Sequence, residues 1–300
     1  MKIELTGTPE ELRIFLGENF NTNGLNVTIN TIEETEDVLK VIKDRNLLQP
    51  MGNMEKVLEL LKDINLPGVN LENFKYDSDR DTGYFGRLSS DDFISYERLS
   101  TKVKFDKGTM MPDKGWLVFY YRGEIVYIPQ HPIRYNISWD DLESAELVFG
   151  KDIKIGEQTY NISLPTGAKA NPADDVKWQN ASASEELEID LGYGSVWNEL
   201  IYRVHKDIPG VTDIGENCSG GPQYGENWDE LTDEELNVNW NKCSVGTATW
   251  CQETSSHGST NRVHRGGHRL ASSNWFTSSY SGVYLGWRAM LKVKIDSREA

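Results

Sequence analysis

Cysteine is scarce in this chain of 300 residues, which contains only Cys218, Cys243 and Cys251. Small secreted scaffolds held by disulfides carry many cysteines in even number, so three thiols exclude that class and favour the reduced state. Long apolar runs are missing too, since no stretch approaches the roughly 18 apolar residues of a membrane helix. The N-terminal residues lack the basic start and apolar core of a signal peptide. We therefore expect a soluble protein made in the cytosol, with no membrane insertion.

Positive charge is in deficit, because 31 lysines and arginines face 47 aspartates and glutamates, which gives a formal net charge of -16. Such a chain repels polyanions, so we do not expect nucleic acid as a partner. The sequence has neither a G-x-S-x-G nucleophile elbow nor a G-x-x-x-x-G-K-[ST] phosphate loop. The paired acids at 140–141 and 174–175 are adjacent, so they would not face each other on a helix and suit caps or turns better than acid-base catalysis.

Five residues of zinc-ligand type lie within one short stretch: Cys243, Cys251, His257, His264 and His268. The stretch has no C-x2-C pair, whereas structural zinc sites depend on regular ligand spacing. We therefore predict no metal and no cofactor, with zinc as the minor alternative.

Residues 1–82 differ in pattern from the rest of the chain. Thr8-Pro9-Glu10-Glu11 supplies an N-cap, a proline in the first turn and a capping-box acid, which predicts a helix through Leu16. Apolar residues repeat at helical spacing at 38–42 and, after a break at 50–53, at 54–61. The polar string at 77–82 predicts a domain boundary. We predict a small α/β or helical unit that attaches to a larger assembly, although an ordinary small domain would show the same pattern.

From Phe85 onward the hydrophobic pattern has a period of two, which predicts strands. Runs at 116–121 and 124–128 flank Arg122-Gly123 and predict a hairpin, and a second strand pair is predicted at 153–155 and 159–164. Ser138 with an acid three residues later predicts a short helix through Ala145. Residues 195–204 are predicted to form another helix, and 171–188 an irregular insertion. The predicted fold class is therefore α+β, with residues 83–300 as a β-rich module.

Three motifs follow in order near the C-terminus: 246–253 around Trp250, 262–267 ending in Arg265-Gly266-Gly267, and Gly286-Trp287-Arg288. Adjacent glycines after Arg265 allow positive φ or a close backbone approach at a strand end. We predict that Arg265 and Arg288 reach inward and tie loops down through their several donors. Trp250 and Trp287 are predicted to belong to the core.

The order and spacing of these motifs resemble those of formylglycine-generating-enzyme-like proteins and of the variable tropism proteins of phages, which share a C-type-lectin-like domain. The similarity extends upstream through G-Y-F-G at 83–86, K-G-W-L-V-F-Y-Y-R-G-E at 114–124 and S-V-W-N-E-L-I-Y at 195–202 to a module common in tailed-phage virion proteins. It covers residues 83–293, with the core motifs in 195–293. The module usually ends in G-W-R-P-V-L, whereas this chain has Ala289-Met290-Leu291, which is an apolar change.

The resemblance implies binding and not catalysis. Formylglycine-generating enzymes need redox-active cysteines, one of which closely follows the R-G-G strand, but residues 268–273 contain none. Cys251 lies in the tryptophan strand, where we expect burial, and a reactive thiol needs access and a lowered pKa. We therefore predict that the protein is not an enzyme.

The interval between Gly267 and Gly286 is rich in Tyr, Trp, Ser and Asn, the residue types that recognition loops favour. In the phage tropism proteins this interval forms the displayed surface, so the resemblance implies six ligand-contacting residues: His268, Arg269, Asn274, Trp275, Tyr280 and Tyr284. Loop packing or contact with another subunit is the alternative.

The sequence thus predicts a tailed-phage virion protein, made in the host cytoplasm, that adheres to a host surface glycan or protein through the 268–285 loop. Other virion proteins are expected partners, and symmetric closure favours a homo-oligomer. A capsid-decoration or tail structural protein is the main alternative, and a formylglycine-generating-enzyme-like oxidase is the lesser one.

Overall fold

The structure is a computed structural model that describes residues 49–62, 64–168, 170–173, 194–206, 227–256, 258–268, 270 and 272–295. The described residues from Met54 onward belong to one compact unit, which spans Met54–Ala300. The helices predicted at 8–16 and 38–42 and most of the insertion predicted at 171–188 lie outside the described residues. The N-terminal attachment unit therefore stays a prediction.

Strands predominate over helices in the described residues. The α-helices are α1 Gln49–Lys62, α2 Tyr96–Val103, α3 Trp139–Ser144 and α4 Asp233–Leu236, with a 3-10 turn at Leu71–Asn73. The strands are β1 Lys75–Asp77, β2 Thr82–Leu88, β3 Thr109–Met110, β4 Trp116–Tyr121, β5 Glu124–Pro129, β6 Arg134–Tyr135, β7 Lys151–Ile155, β8 Gln158–Ser163, β9 Ala248–Thr254, β10 Asn261–Gly266, β11 Ser273–Thr277, β12 Leu285–Trp287 and β13 Met290–Lys294. The described residues are thus mixed and β-rich, as the sequence predicts. No helix among them is long and apolar enough to cross a membrane.

The strands form two sheets. The seven-stranded sheet has the order β1-β2-β4-β5-β13-β8-β7, and the six-stranded sheet has the order β11-β10-β9-β12-β6-β3. Neighbouring strands are antiparallel except for β12, which runs parallel to β9. The last two strands of the chain lie in different sheets, so Arg288, between β12 and β13, is at the junction of the two sheets.

The predicted hairpin at 116–128 is confirmed as β4 and β5. Arg122 and Gly123 both have positive φ, 50° and 86°, which suits the type I′ turn of a two-residue hairpin. Alternate side chains along β4 belong to two apolar clusters, Trp116 and Val118 to one and Leu117 to the other. Because both faces of the strand are covered, its residues are apolar throughout.

Several local predictions are confirmed. β7 and β8 form the second predicted strand pair. The Ser138 hydroxyl accepts from the Asp141 N–H, and the Asp141 carboxylate accepts from the Ser138 N–H, each at 3.1 Å, so the capping box begins α3.

The predicted break at 50–53 is wrong, because α1 begins at Gln49 and Pro50 lies in its first turn, where a missing N–H costs no hydrogen bond. The string 77–82 forms the turn between β1 and β2.

Residues 195–204 do not form the regular helix that we predicted. A π-helical turn at Trp197–Ile201 is followed by a 3-10 turn at Tyr202–Val204. The apolar residues that predicted one buried helix face, Trp197, Leu200, Ile201 and Val204, are fully buried. The polar residues between them are buried as well: Asn198, Glu199 and Arg203. Arg203 pairs with Asp77 at 2.8 Å. The pattern predicted a helix with one buried face, whereas both the apolar and the polar residues of this segment are buried.

Candidate ligand-binding surface

Four residues of the C-terminal motifs are fully buried, as the sequence predicts: Trp250, Arg265, Trp287 and Arg288. Arg265 donates to Gly167 O and to Asn198 Oδ1, each at 2.8 Å. Burial lowers the pKa of Arg288 to about 10, which still leaves it charged at neutral pH. Its guanidinium donates to three backbone carbonyl oxygens, at 2.8, 2.5 and 2.6 Å: those of Pro129, Gln130 and Leu236. Both side chains thus hold separate loops together.

The adjacent glycines of the second motif anchor a neighbouring loop. Gly266 and Gly267 have φ of 82° and 101°, and a Cβ on Gly266 would lie 2.6 Å from Thr247 O. The close backbone approach predicted from the sequence is therefore confirmed. Gly267 N donates to Val238 O at 3.0 Å, and Gly267 O accepts from Trp240 N at 2.6 Å. These bonds fix the backbone of the loop that carries Trp240.

Three aromatic side chains meet at the surface beside this glycine pair. Trp240 and Tyr284 are 38% and 43% exposed, and their ring centroids are 5.7 Å apart with an interplanar angle of 57°. The His268 ring packs against the Trp240 ring, with centroids 3.5 Å apart and planes inclined by 59°. We call Trp240, His268 and Tyr284 the aromatic corner. Two of its members, His268 and Tyr284, were predicted contact residues.

Exposed side chains continue from the corner along residues 280–284. Val283 and Tyr280 are 45% and 42% exposed. The Tyr280 ring packs over Gly282, where a Cβ would lie 2.8 Å from a ring carbon, and lies 4.8 Å from the Phe276 ring. Backbone bonds hold this segment down as well, because Val283 O accepts from Gly246 N at 2.8 Å. Tyr280, a predicted contact residue, is therefore part of the same exposed surface.

The interval predicted as one loop also contains the edge strand β11. Asn274 and Trp275 are half-buried neighbours on this strand, opposite His264 and Val263 of β10. Successive side chains of a strand point to opposite faces, so these two predicted contact residues do not face one ligand together. Arg269 lies outside the described residues.

The loop that carries Trp240 lies in a negative electrostatic environment. Asn239 donates to the Asp233 carboxylate at 3.1 Å, and Lys242 pairs with Glu234 at 2.8 Å. Burial and the negative charges of Glu234 and Asp233 raise the pKa of the Cys243 thiol. Lys242, the cation nearest to Trp240 in sequence, is thus paired with Glu234. The negative charges of Asp233 and Glu234 still raise the pKa of the neighbouring Cys243 thiol.

The predicted burial of Cys251 is confirmed, and burial raises the pKa of its thiol well above the usual value. In the described part of the chain, no three His, Cys, Asp or Glu side chains come together as a metal site. His257, one of the residues considered for zinc, lies outside that part.

Trp240 belongs to the aromatic corner but was not among the predicted contact residues. It lies in the string N-V-N-W-N-K at 237–242, whose asparagines and tryptophan match the composition that singled out 268–285. That composition was the available signal, but only the fold brings residue 240 next to residue 284. No protein-family model, curated protein or solved structure matches this chain. The resemblance to phage proteins therefore stays a prediction.

Proposed function

We propose that this chain is a non-enzymatic virion protein of a tailed phage that adheres to a host surface glycan or protein. The contact surface is the aromatic corner together with residues 280–284, and the motif-bearing six-stranded sheet is its C-type-lectin-like support. The observation that carries the proposal is the exposed Trp240–Tyr284 pair. Aromatic rings give a large, rigid contact area at a small cost in conformational entropy.

The support beneath the rings favours recognition. Trp240 N donates to Gly267 O at 2.6 Å, and Tyr284 O accepts from Ala248 N at 2.8 Å. The backbone of both residues is thus bonded to the glycine pair or to β9. A surface that is ordered before the ligand arrives loses less entropy on binding.

The described thiols favour binding over the oxidase alternative. Cys251 is enclosed, Cys243 is half-buried, and the pKa of each thiol is raised. Thiol chemistry proceeds through the thiolate, which a raised pKa makes scarce at neutral pH. Neither residue has the environment of a redox-active cysteine.

A structural role in the virion is the second candidate, and Phe149 favours it. This side chain is 62% exposed, and its ring meets Trp139 edge-on at 5.9 Å. The Arg262 guanidinium also lies against Trp139, 4.2 Å from the ring centroid. An exposed apolar ring at this place suits contact with another virion protein or a second copy of the chain.

Binding of the purified full chain to host cells and to phage particles that lack it separates the two roles. We expect the wild type to label host cells and Trp240→Ala/Tyr284→Ala to reduce labelling at least tenfold. Phe149→Ala, which removes an exposed ring elsewhere, serves as the matched control and should leave cell labelling unchanged. Binding to particles without any labelling of host cells would refute adhesion and support the structural role.

A further inference from the structure

We propose that the aromatic corner binds a quaternary ammonium group of the choline type, carried by a host surface polymer. The inference rests on the function proposed above, because it takes the corner as the contact surface, and it adds the chemistry of the ligand. Three properties of the corner lead to it: the geometry of the rings, their rigid backing and the sign of the local charge.

The Trp240 and Tyr284 rings are placed so that one cation can meet both. A cation is attracted to an aromatic face when it lies within about 6 Å of the ring centroid, and tryptophan attracts it most strongly. The two centroids are themselves 5.7 Å apart, and the planes are inclined by 57°. A quaternary ammonium group does not fit between centroids this close, but one that lies over the outer side of the angle between the rings can be within about 6 Å of both.

The rings are held in place before any ligand binds. The His268 ring packs against the Trp240 indole at 3.5 Å, and the Gly267 backbone holds the Trp240 backbone at 2.6 Å. A Cβ on Gly267 would lie 4.0 Å from the indole, so the glycine backbone itself lies against the ring. This backing leaves the indole little freedom to lose on binding.

The charge around the corner favours a cation. In the same loop as Trp240, Asn239 donates to Asp233 and Lys242 pairs with Glu234, and the whole chain carries a formal charge of -16. An anionic polymer would be repelled, and a neutral sugar would gain nothing from this field.

A quaternary ammonium group fits better than a primary amine. It has no N–H donor, so it needs no hydrogen-bond acceptor in the site, and ring faces with a negative field satisfy it. A lysine-type ammonium carries three donors that would have to give up water. The two exposed rings offer aromatic faces, which match the quaternary group.

Calorimetric titration of the full chain with choline chloride tests the inference against 3,3-dimethyl-1-butanol, the uncharged carbon analogue of choline. We expect choline to bind at least tenfold more tightly than the analogue, because only choline carries the charge. Tyr284→Leu keeps apolar bulk but removes a ring, and Trp240→Ala removes the stronger ring; each should weaken choline binding at least tenfold. Phe149→Ala should bind choline like the wild type.

Equal affinity for choline and its uncharged analogue would overturn the inference, since the corner would then be an apolar patch only. Choline binding that survives Trp240→Ala and Tyr284→Leu in folded variants would overturn it as well. If the protein labelled host cells through the corner and choline did not compete with this labelling, the cation site would be refuted, whereas the proposed adhesion would be supported. Choline binding through the corner without any cell labelling would support the cation site and refute adhesion.

Discussion

The two sheets of this protein bury different chemistry. In the seven-stranded sheet, the central strands β4 and β5 are apolar and buried between two hydrophobic clusters, except for the half-buried Tyr121 and Glu124 beside their turn. The six-stranded sheet and the turn after it bury groups that carry or can acquire charge: Glu253, His264, Arg265 and Arg288. The exposed aromatic corner is attached to this second sheet, through Gly267 and Ala248.

Apolar burial in the seven-stranded sheet stabilises the fold, whereas buried charge in the six-stranded sheet positions loops. Burial of apolar side chains stabilises a fold without fixing the conformation of distant loops. A buried guanidinium is costly to desolvate, but it bonds several groups at fixed geometry. Arg288 bonds three carbonyl oxygens, one in the last residue of β5, one just after it and one at the end of α4. The loop that follows α4 carries Trp240, so the buried charge helps to position the contact surface.

The largest effect on stability is expected for Arg288→Met. An apolar side chain of similar length fills the space but leaves three carbonyl oxygens without their donor, at about 1–3 kcal/mol for each buried group. We expect the free energy of unfolding in urea to fall by about 4 kcal/mol or more. Lys294→Met, on the exposed end of β13, is the control and should change it by less than about 0.5 kcal/mol. A neutral or stabilising Arg288→Met would show that the charge is not needed to hold the loops.

The contrast between the sheets also marks what the sequence could predict. The hairpin at 116–128 was predictable because two runs of residues with high β-propensity flank a short turn. The inward-facing arginines were predictable because the adjacent glycine pair indicates a close backbone approach. Residues 195–204 were mispredicted, since buried Asn198 and Glu199 look like a solvated face in a helical pattern. Trp240 was missed because its neighbour Tyr284 is distant in sequence. Long-range pairing of this kind is a property of the sheet order, which local pattern does not encode.

Glu253→Gln tests whether burial of the Glu253 carboxyl lowers the stability of the fold in a way that depends on pH. Burial raises the pKa of Glu253 to about 7, above the usual 4.5 of a glutamate. Between these values the native state binds the proton more tightly than the unfolded state, so stability falls as the pH rises through this window. At pH 8 we expect Glu253→Gln to be more stable than the wild type by about 3 kcal/mol, and at pH 4 to differ little. Denaturant curves at both pH values measure this, and a gain confined to pH 4 would contradict it.

His264→Phe should show the opposite dependence on pH. Neither ring nitrogen of His264 has a hydrogen-bond partner among the described residues, and burial lowers the pKa to about 3 from the usual 6.5. The unfolded state therefore binds the proton more tightly between these values, and the wild type loses stability as the pH falls below 6.5.

Phenylalanine would keep the stacking on Phe276, whose centroid is 5.1 Å away, and remove the unsatisfied nitrogens. We expect a gain of about 1–2 kcal/mol at pH 7 that grows as the pH falls toward 4. The same denaturant curves, run beside those of Glu253→Gln, should give differences of opposite slope. A gain that shrinks at acid pH would show that the buried imidazole accepts its proton in the folded state.

Tyr284→Leu should change stability less than the three substitutions of buried residues, although it should weaken binding at least tenfold. The Tyr284 ring is more than two-fifths exposed at 43%, and the backbone bond from Ala248 N to Tyr284 O survives the substitution. Substitutions of exposed side chains away from caps and buried networks change the free energy of unfolding by about 0.5 kcal/mol or less. Because the Tyr284 ring is partly buried, we expect a loss of at most about 1 kcal/mol. Urea denaturation measures the loss, and cell labelling is measured on the same preparation. If Tyr284→Leu destabilised the protein as much as Arg288→Met, the ring would belong to the core of the six-stranded sheet, and the separation of positioning charges from a displayed surface would fail.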